Sequence, residues 1–232
     1  VDVGNKKSID NAFKHVPKKI DCFFGCAGVS GANNNFNETF TINFIGSKYI
    51  IEKYLSKRVV KNGAIAIITS IASSRWEKYM DELKKAVNAN GWDATVKEME
   101  SWKLEKLPGM SAYTVSKRAL GQYIATMIPF FAKRGVRINA LLPSVTDTKL
   151  LADFGKKKTL IKFSGLAKRL ADQIEMAGPM IFLNSNMASY LSGHDLFVDY
   201  GNEGMIKSKE LKDQFDVKTF SFKDVASKIA KK

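Results

Sequence analysis

Short, nearly continuous apolar runs alternate along this chain with longer stretches in which apolar positions recur every three or four residues. Runs of the first kind predict strands buried on both faces of a parallel sheet, and stretches of the second kind predict helices packed against it. Four strands are expected: Ile20 to Cys26, Ala64 to Thr69, Val136 to Leu142 and Leu196 to Val198. Helices are expected over Phe36 to Val60, Ala112 to Lys133 and Asp172 to Asn184, with Gly135 placed to stop the second. A further amphipathic stretch, Trp76 to Lys106, carries Trp92 and Trp102 and has no strand pattern. It reads as a helical insertion, at about 74–108, between the second strand and the next helix. The class is therefore α/β, a doubly wound parallel sheet with helices on both faces. Each apolar run gives way to small, polar or turn-forming residues, which puts reactive side chains at the carboxyl ends of strands, where open α/β sheets bind ligands.

Composition narrows the chemistry. With 232 residues, 45% apolar and 26% charged, the chain can bury a substantial core, and no repeat or Gly/Ser linker divides it. Two cysteines cannot form a disulfide framework, so a cytoplasmic location is expected, with Cys22 and Cys26 on one face of the first strand as buried structural thiols. No apolar stretch approaches the roughly 18 residues that span a bilayer. Lys and Arg outnumber Asp and Glu by 37 to 23, a net charge of +14. They are spread along amphipathic segments, which suits a solvated surface attracting anionic cofactors or substrates better than a nucleic-acid interface. The two histidines, His15 and His194, have no cysteine or carboxylate at ligand spacing, so neither a metal site nor a Ser-His-Asp triad is expected. No two glycines stand two apart, which excludes a G-x-G-x-x-G phosphate loop from these residues.

One constellation carries chemistry. In Ser111-Ala112-Tyr113-Thr114-Val115-Ser116-Lys117, Tyr113 and Lys117 are four residues apart at the head of a helix and share a face. A neighbouring ammonium favours the phenolate and draws a phenol toward its working range as an acid or base. Upstream, Ile67-Ile68-Thr69-Ser70-Ile71-Ala72-Ser73 ends a buried strand in a serine, and Asn43 interrupts an otherwise apolar helical pattern.

Together these segments resemble the short-chain dehydrogenase/reductase family. Cys26-Ala27-Gly28 is similar to the end of its Asn-Asn-Ala-Gly strand motif, and Asn43, Ser70, Tyr113 and Lys117 are similar to its catalytic tetrad. Val136 to Pro143 followed by Val145-x-Asp147-Thr148 resembles its nicotinamide-side strand, and Tyr190 to Asp199 its last strand. The long spacing between Ser70 and Tyr113 is most similar to the bacterial 3α-hydroxysteroid dehydrogenase/carbonyl reductase branch.

The resemblance implies a Rossmann-like fold and hydride exchange between NAD or NADP and a carbonyl or secondary alcohol, a hydroxysteroid or xenobiotic ketone among the candidates. Tyr113 would be the general acid and base, Ser70 would bond the carbonyl oxygen, Lys117 would lower the Tyr113 pKa, and Asn43 would hold a linking water. Asp2, Val3, Cys26, Ala27, Gly28, Tyr113, Lys117, Pro143, Ser144, Val145 and Thr148 would line the cofactor. Ser70, Ala72, Tyr113, Leu150 and Leu151 would meet a small-molecule substrate, under a lysine-rich lid from Leu150 to Leu170. Aligned to the family, Asp2-Val3 falls after the third strand, so a first βαβ unit of about 40 residues is expected ahead of Val1. The family domain is expected over 1–205, with a basic extension over 206–232, as a homodimer or homotetramer. A catalytically inactive relative serving as a binding or scaffold subunit is the alternative.

Overall fold

The computed structural model describes residues 1–213, and the part of the expected basic extension from residue 214 onward lies outside the described residues. Four strands, β1 Ile20–Gly25, β2 Val59–Ile68, β3 Arg137–Pro143 and β4 Asp195–Val198, form one parallel sheet in the order of the chain. Successive residues of the central strands point to opposite faces. Ile65, Ile67, Ile138, Ala140 and Leu142 enter the larger core, while Ala66 and Leu141 enter a smaller one. Apolar side chains on both faces explain why these strands appear in the sequence as unbroken apolar runs.

On the larger face lie α1 Lys6–His15, a helical run from Phe36 to Arg58, and α7 Gly109–Ala132. The run opens on a capping box, in which Asn35 accepts from the Glu38 amide at 2.9 Å and Glu38 accepts from the Asn35 amide at 2.8 Å. Its α-helical pieces α2 Phe36–Phe40, α3 Gly46–Ile50 and α4 Ser56–Arg58 alternate with π-helical turns Thr41–Ile45 and Ile51–Leu55. The first π-turn contains Asn43, and such turns recur where a helix serves a functional site.

The insertion is helical as expected. A 3-10 turn Trp76–Tyr79 leads into α5 Met80–Asn88 and α6 Gly91–Ser101, whose Leu83, Ala86, Val87 and Met99 join the main core. Trp92 meets Tyr49 edge-on at 5.5 Å and Trp102 meets Phe40 at 5.0 Å, so the insertion is an integral layer of the domain. The smaller face is covered by α9 Gln173–Asn184 through Met176, Met180 and Leu183.

Several expectations are corrected. Cys22 and Cys26 are exposed thiols: β1 is an edge strand among the described residues, and its burial pattern leaves alternate positions open. The second strand is longer than its apolar run, beginning at Val59 and passing through Asn62 in a left-handed conformation (φ 66°). Helix α1 lacks a broad apolar stripe, because only Ile9 and Phe13 of its ten residues are buried; it is set by the Asn5 cap on the Ser8 amide. Helix α10 Asn202–Lys207 runs through residue 206, and the Glu210 amide donates to the Met205 carbonyl at 2.9 Å.

Candidate active site

The carboxyl ends of β1, β2 and β3 and the first turns of α7 enclose a cavity of about 880 Å³. Twelve of the residues expected at a site line it: Cys26, Gly28, Ser70, Ala72, Tyr113, Lys117, Pro143, Ser144, Val145, Thr148, Leu150 and Leu151. Asp2, Val3, Ala27 and Asn43 do not. Asp2 bonds its own Gly4 amide at 2.8 Å, Val3 packs against the main core, and Asn43 is fully buried behind the wall.

Local structure aims the reactive groups. Thr69 is tied to β3 through its amide and hydroxyl, both donating to the Leu141 carbonyl, and Ser70 follows as the cap of the 3-10 turn Ile71–Ser73. Ser70 accepts from the Ala72 amide at 3.1 Å and lines the cavity together with Tyr113. Across the loop after β1, Gly31 has φ 88° and passes so close to Gly109 that a Cβ would stand 2.3 Å from the Gly109 carbonyl carbon, which fixes where α7 begins. Two turns into α7, Lys117 is 4% exposed, places Nζ 5.9 Å from the Tyr113 ring centre and donates to the Ile68 carbonyl at 3.2 Å.

Asn43 braces this wall from behind. Its side chain accepts from the Val29 amide at 2.8 Å, donates to the Val29 carbonyl at 2.9 Å and donates to Ser116 Oγ at 3.2 Å. Ser116 in turn donates to the Tyr113 carbonyl at 2.8 Å. The polar residue that broke the apolar helical pattern thus ties the β1 loop to the Tyr113 turn.

Electrostatics correct one expectation. Burial pushes the Tyr113 phenol above its ordinary range, and the hydrogen bond from Ser70 opposes the rise. The opposing group is Ser70, whereas Lys117 is itself held down to about 8 by burial, partly offset by the field of Cys26. Residues that the sequence did not single out complete the cavity. Phe154 presents its ring edge to Tyr113 at 5.0 Å, and Ile71, Leu160 and Phe163 extend the apolar lining. Phe154, Leu160 and Phe163 are the apolar positions of the amphipathic 150–170 stretch, so their signal was its periodicity. Among the described residues, no group of three or more His, Cys, Asp or Glu side chains could hold a metal ion, and no helix is long and apolar enough to cross a membrane.

Known proteins are similar to this chain in sequence and fold. A family model described as enoyl-(acyl carrier protein) reductase matches residues 98–203. The 3-alpha-hydroxysteroid dehydrogenase/carbonyl reductase of Comamonas testosteroni is 27% identical over 211 residues, 88% of this chain and 80% of the relative. Over most of its length the chain is similar to members of the short-chain dehydrogenase/reductase family. A second relative, the coniferyl-alcohol dehydrogenase of a Pseudomonas species, is 26% identical, covering 86% of this chain and 78% of its own. The fold is shared with the 3-alpha-hydroxysteroid dehydrogenase of Pseudomonas sp. B-0831, solved in complex with NADH, at a TM-score of 0.69 and 21% identity over 90% of this chain and 84% of that one. These relatives are named dehydrogenases and reductases. In this chain Ser70, Tyr113 and Lys117 line one cavity, with Asn43 behind its wall.

Proposed function

We propose that the protein interconverts a carbonyl and a secondary alcohol with NAD or NADP, using Tyr113 as general acid and base. The observation that carries this reading is that Ser70, Tyr113 and Lys117 converge on one largely apolar cavity, with Lys117 Nζ 5.9 Å from the Tyr113 ring centre. Residues beside it fit a dinucleotide. At Gly28 a Cβ would stand 3.2 Å from Asn43 Oδ1 and 3.3 Å from Lys117 Nζ, so only its absence leaves the backbone open beside two polar groups. Gly28, Lys117, Pro143, Ser144, Val145 and Thr148 would hold the cofactor. When bound, the nicotinamide supplies or accepts the hydride.

The chain's own residues then handle the proton and the charge. In reduction Tyr113 donates its phenolic proton to the carbonyl oxygen, and in oxidation it takes that proton back. Ser70 donates to the same oxygen as negative charge develops there. Lys117 stands ready to bond a cofactor hydroxyl in exchange for the Ile68 carbonyl. Ile71, Ala72, Leu150, Leu151 and Phe154 exclude water and favour an apolar carbonyl compound; the hydroxysteroid name of one relative is in keeping with a ketone.

The test is consumption of NADH or NADPH by the full-length protein across a panel of apolar ketones, beside Ser70→Ala. Turnover of at least one ketone is expected, with kcat about 100-fold lower in Ser70→Ala. Failure of every carbonyl, together with no dinucleotide binding, would overturn the proposal.

A further inference from the structure

Ser70 is the first residue of a tight turn whose far end is clamped from outside the cavity. The Ser70 carbonyl accepts from the Ser73 amide at 2.8 Å and from the Ser73 hydroxyl at 2.6 Å, and the Ser74 amide donates to the Ile71 carbonyl at 3.0 Å. Residues 70–74 therefore move as a unit. At its near end Thr69 is bonded to β3; at its far end stands Arg75, left-handed at φ 64° and ψ 20°, a conformation unfavourable for a residue with a Cβ.

Strong contacts hold that conformation in place. The Arg75 guanidinium donates through Nη1 to both carboxylate oxygens of Glu203, at 2.8 and 3.0 Å, and its Nε lies 3.1 Å from Asp213 Oδ2. The Arg75 and Glu203 side chains are 13% and 10% exposed, so the pair is shielded from solvent. Glu203 is anchored in turn, its amide donating to Asp199 Oδ2 at 2.7 Å just past β4. The next residue repeats the theme, with Trp76 Nε1 donating to Asp195 Oδ2 at 2.9 Å. Two consecutive residues of the serine loop thus end on carboxylates of the β4–α10 segment.

We propose that Arg75 is a positioning residue, whose grip on Glu203 sets the serine turn so that Ser70 Oγ meets the reacting oxygen beside Tyr113. The inference rests on the role given to Ser70 above. Oxyanion donors act only within a few tenths of an ångström, and a misplacement of about 1 Å can cost as much as 100-fold in rate. An ion pair serving stability alone would lower folding stability and leave the Ser70 geometry untouched.

The experiment is a double-mutant cycle in the full-length protein with NAD(P)H and a ketone substrate. Arg75→Asn keeps a residue that tolerates the left-handed backbone while removing the guanidinium, and Glu203→Gln runs the same cycle should Arg75→Asn fail to fold. Arg75→Asn is expected to lower kcat about tenfold with KM within about twofold, and combined with Ser70→Ala to be within about twofold of Ser70→Ala alone. Losses that multiply, or an unchanged kcat in Arg75→Asn and Glu203→Gln, would overturn the positioning role. A crystal structure of Arg75→Asn decides the matter without turnover. Ser70 Oγ displaced by about 1 Å from its contact with Tyr113 supports the proposal, and Ser70 in place refutes it. An absence of ketone reduction by the unaltered protein would sink the proposed function, while the crystallographic comparison would still judge Arg75.

Discussion

The two walls of the cavity are built differently. One comprises the end of β2, the first turns of α7 and the Asn43 π-turn, joined by a chain of hydrogen bonds among Asn43, Val29, Ser116, Tyr113, Lys117 and Ile68, with Asn43 and Ser116 fully buried at its centre. The other, residues 150–167, consists of the 3-10 segments Leu150–Phe154 and Ile161–Ala167 around the four-residue α8 Lys157–Leu160. It is interrupted at Gly155 (φ 138°) and at Gly165 (φ 57°). Its side-chain ties to neighbouring segments do not converge on one buried residue: Asp153 accepts from Ser30, Lys157 pairs with Asp147 at 2.6 Å, and the Ser144 hydroxyl donates to the Phe163 carbonyl at 3.5 Å. The groups proposed to handle the proton sit on the braced wall, and most of the apolar residues proposed to meet substrate sit on the loose one. Rate and substrate choice should therefore separate under mutation.

The largest effect is expected on the braced wall. Asn43→Ala removes three hydrogen bonds at a fully buried side chain and leaves the Val29 amide and Ser116 hydroxyl without that partner, so a loss of about 3 kcal/mol is expected in denaturant unfolding, together with a fall in kcat. A loss below about 1 kcal/mol would mean that Asn43 is not the brace. On the loose wall, Phe154→Ala gives up one edge-on ring contact with Tyr113 and part of the apolar lining. KM for apolar ketones should rise about tenfold with kcat nearly unchanged and stability altered by about 1 kcal/mol. A fall in kcat equal to that of Asn43→Ala would erase the distinction between the walls.

A smaller effect is a pH signature of the braced wall. Burial holds Lys117 at about 8 in the folded chain, against 10.5 ordinarily, so between those values the unfolded chain binds more protons than the folded one. Folding stability from Lys117 should therefore increase as pH rises from about 8 to 10.5. Urea titrations across that window should show the slope in the unaltered protein and its loss in Lys117→Met.

The braced wall was far more legible in the sequence than the contacts that hold it. Tyr113 and Lys117 announce themselves by helical spacing, Ser70 by ending an apolar strand and Asn43 by interrupting an apolar face, because each pattern is local. Arg75 and Glu203 are 128 residues apart and follow no periodicity, so only the folded chain brings them together. The short helix α1 escaped notice because two buried residues make no stripe, and the cysteines were misjudged because an apolar run does not say whether its strand lies at an edge. The loose wall was visible as amphipathicity alone; that Phe154 reaches Tyr113 depends on turns no period specifies.

The most direct test of the central claim follows the hydrogen itself. A ketone would be reduced with cofactor deuterated at nicotinamide C4, by the unaltered protein and by Tyr113→Phe, and the alcohol examined by mass spectrometry and NMR. One deuterium at the carbinol carbon is expected, with the rate in Tyr113→Phe lower by about 1,000-fold. Alcohol without deuterium, or equal rates in the two proteins, would contradict hydride transfer with Tyr113 as the proton donor.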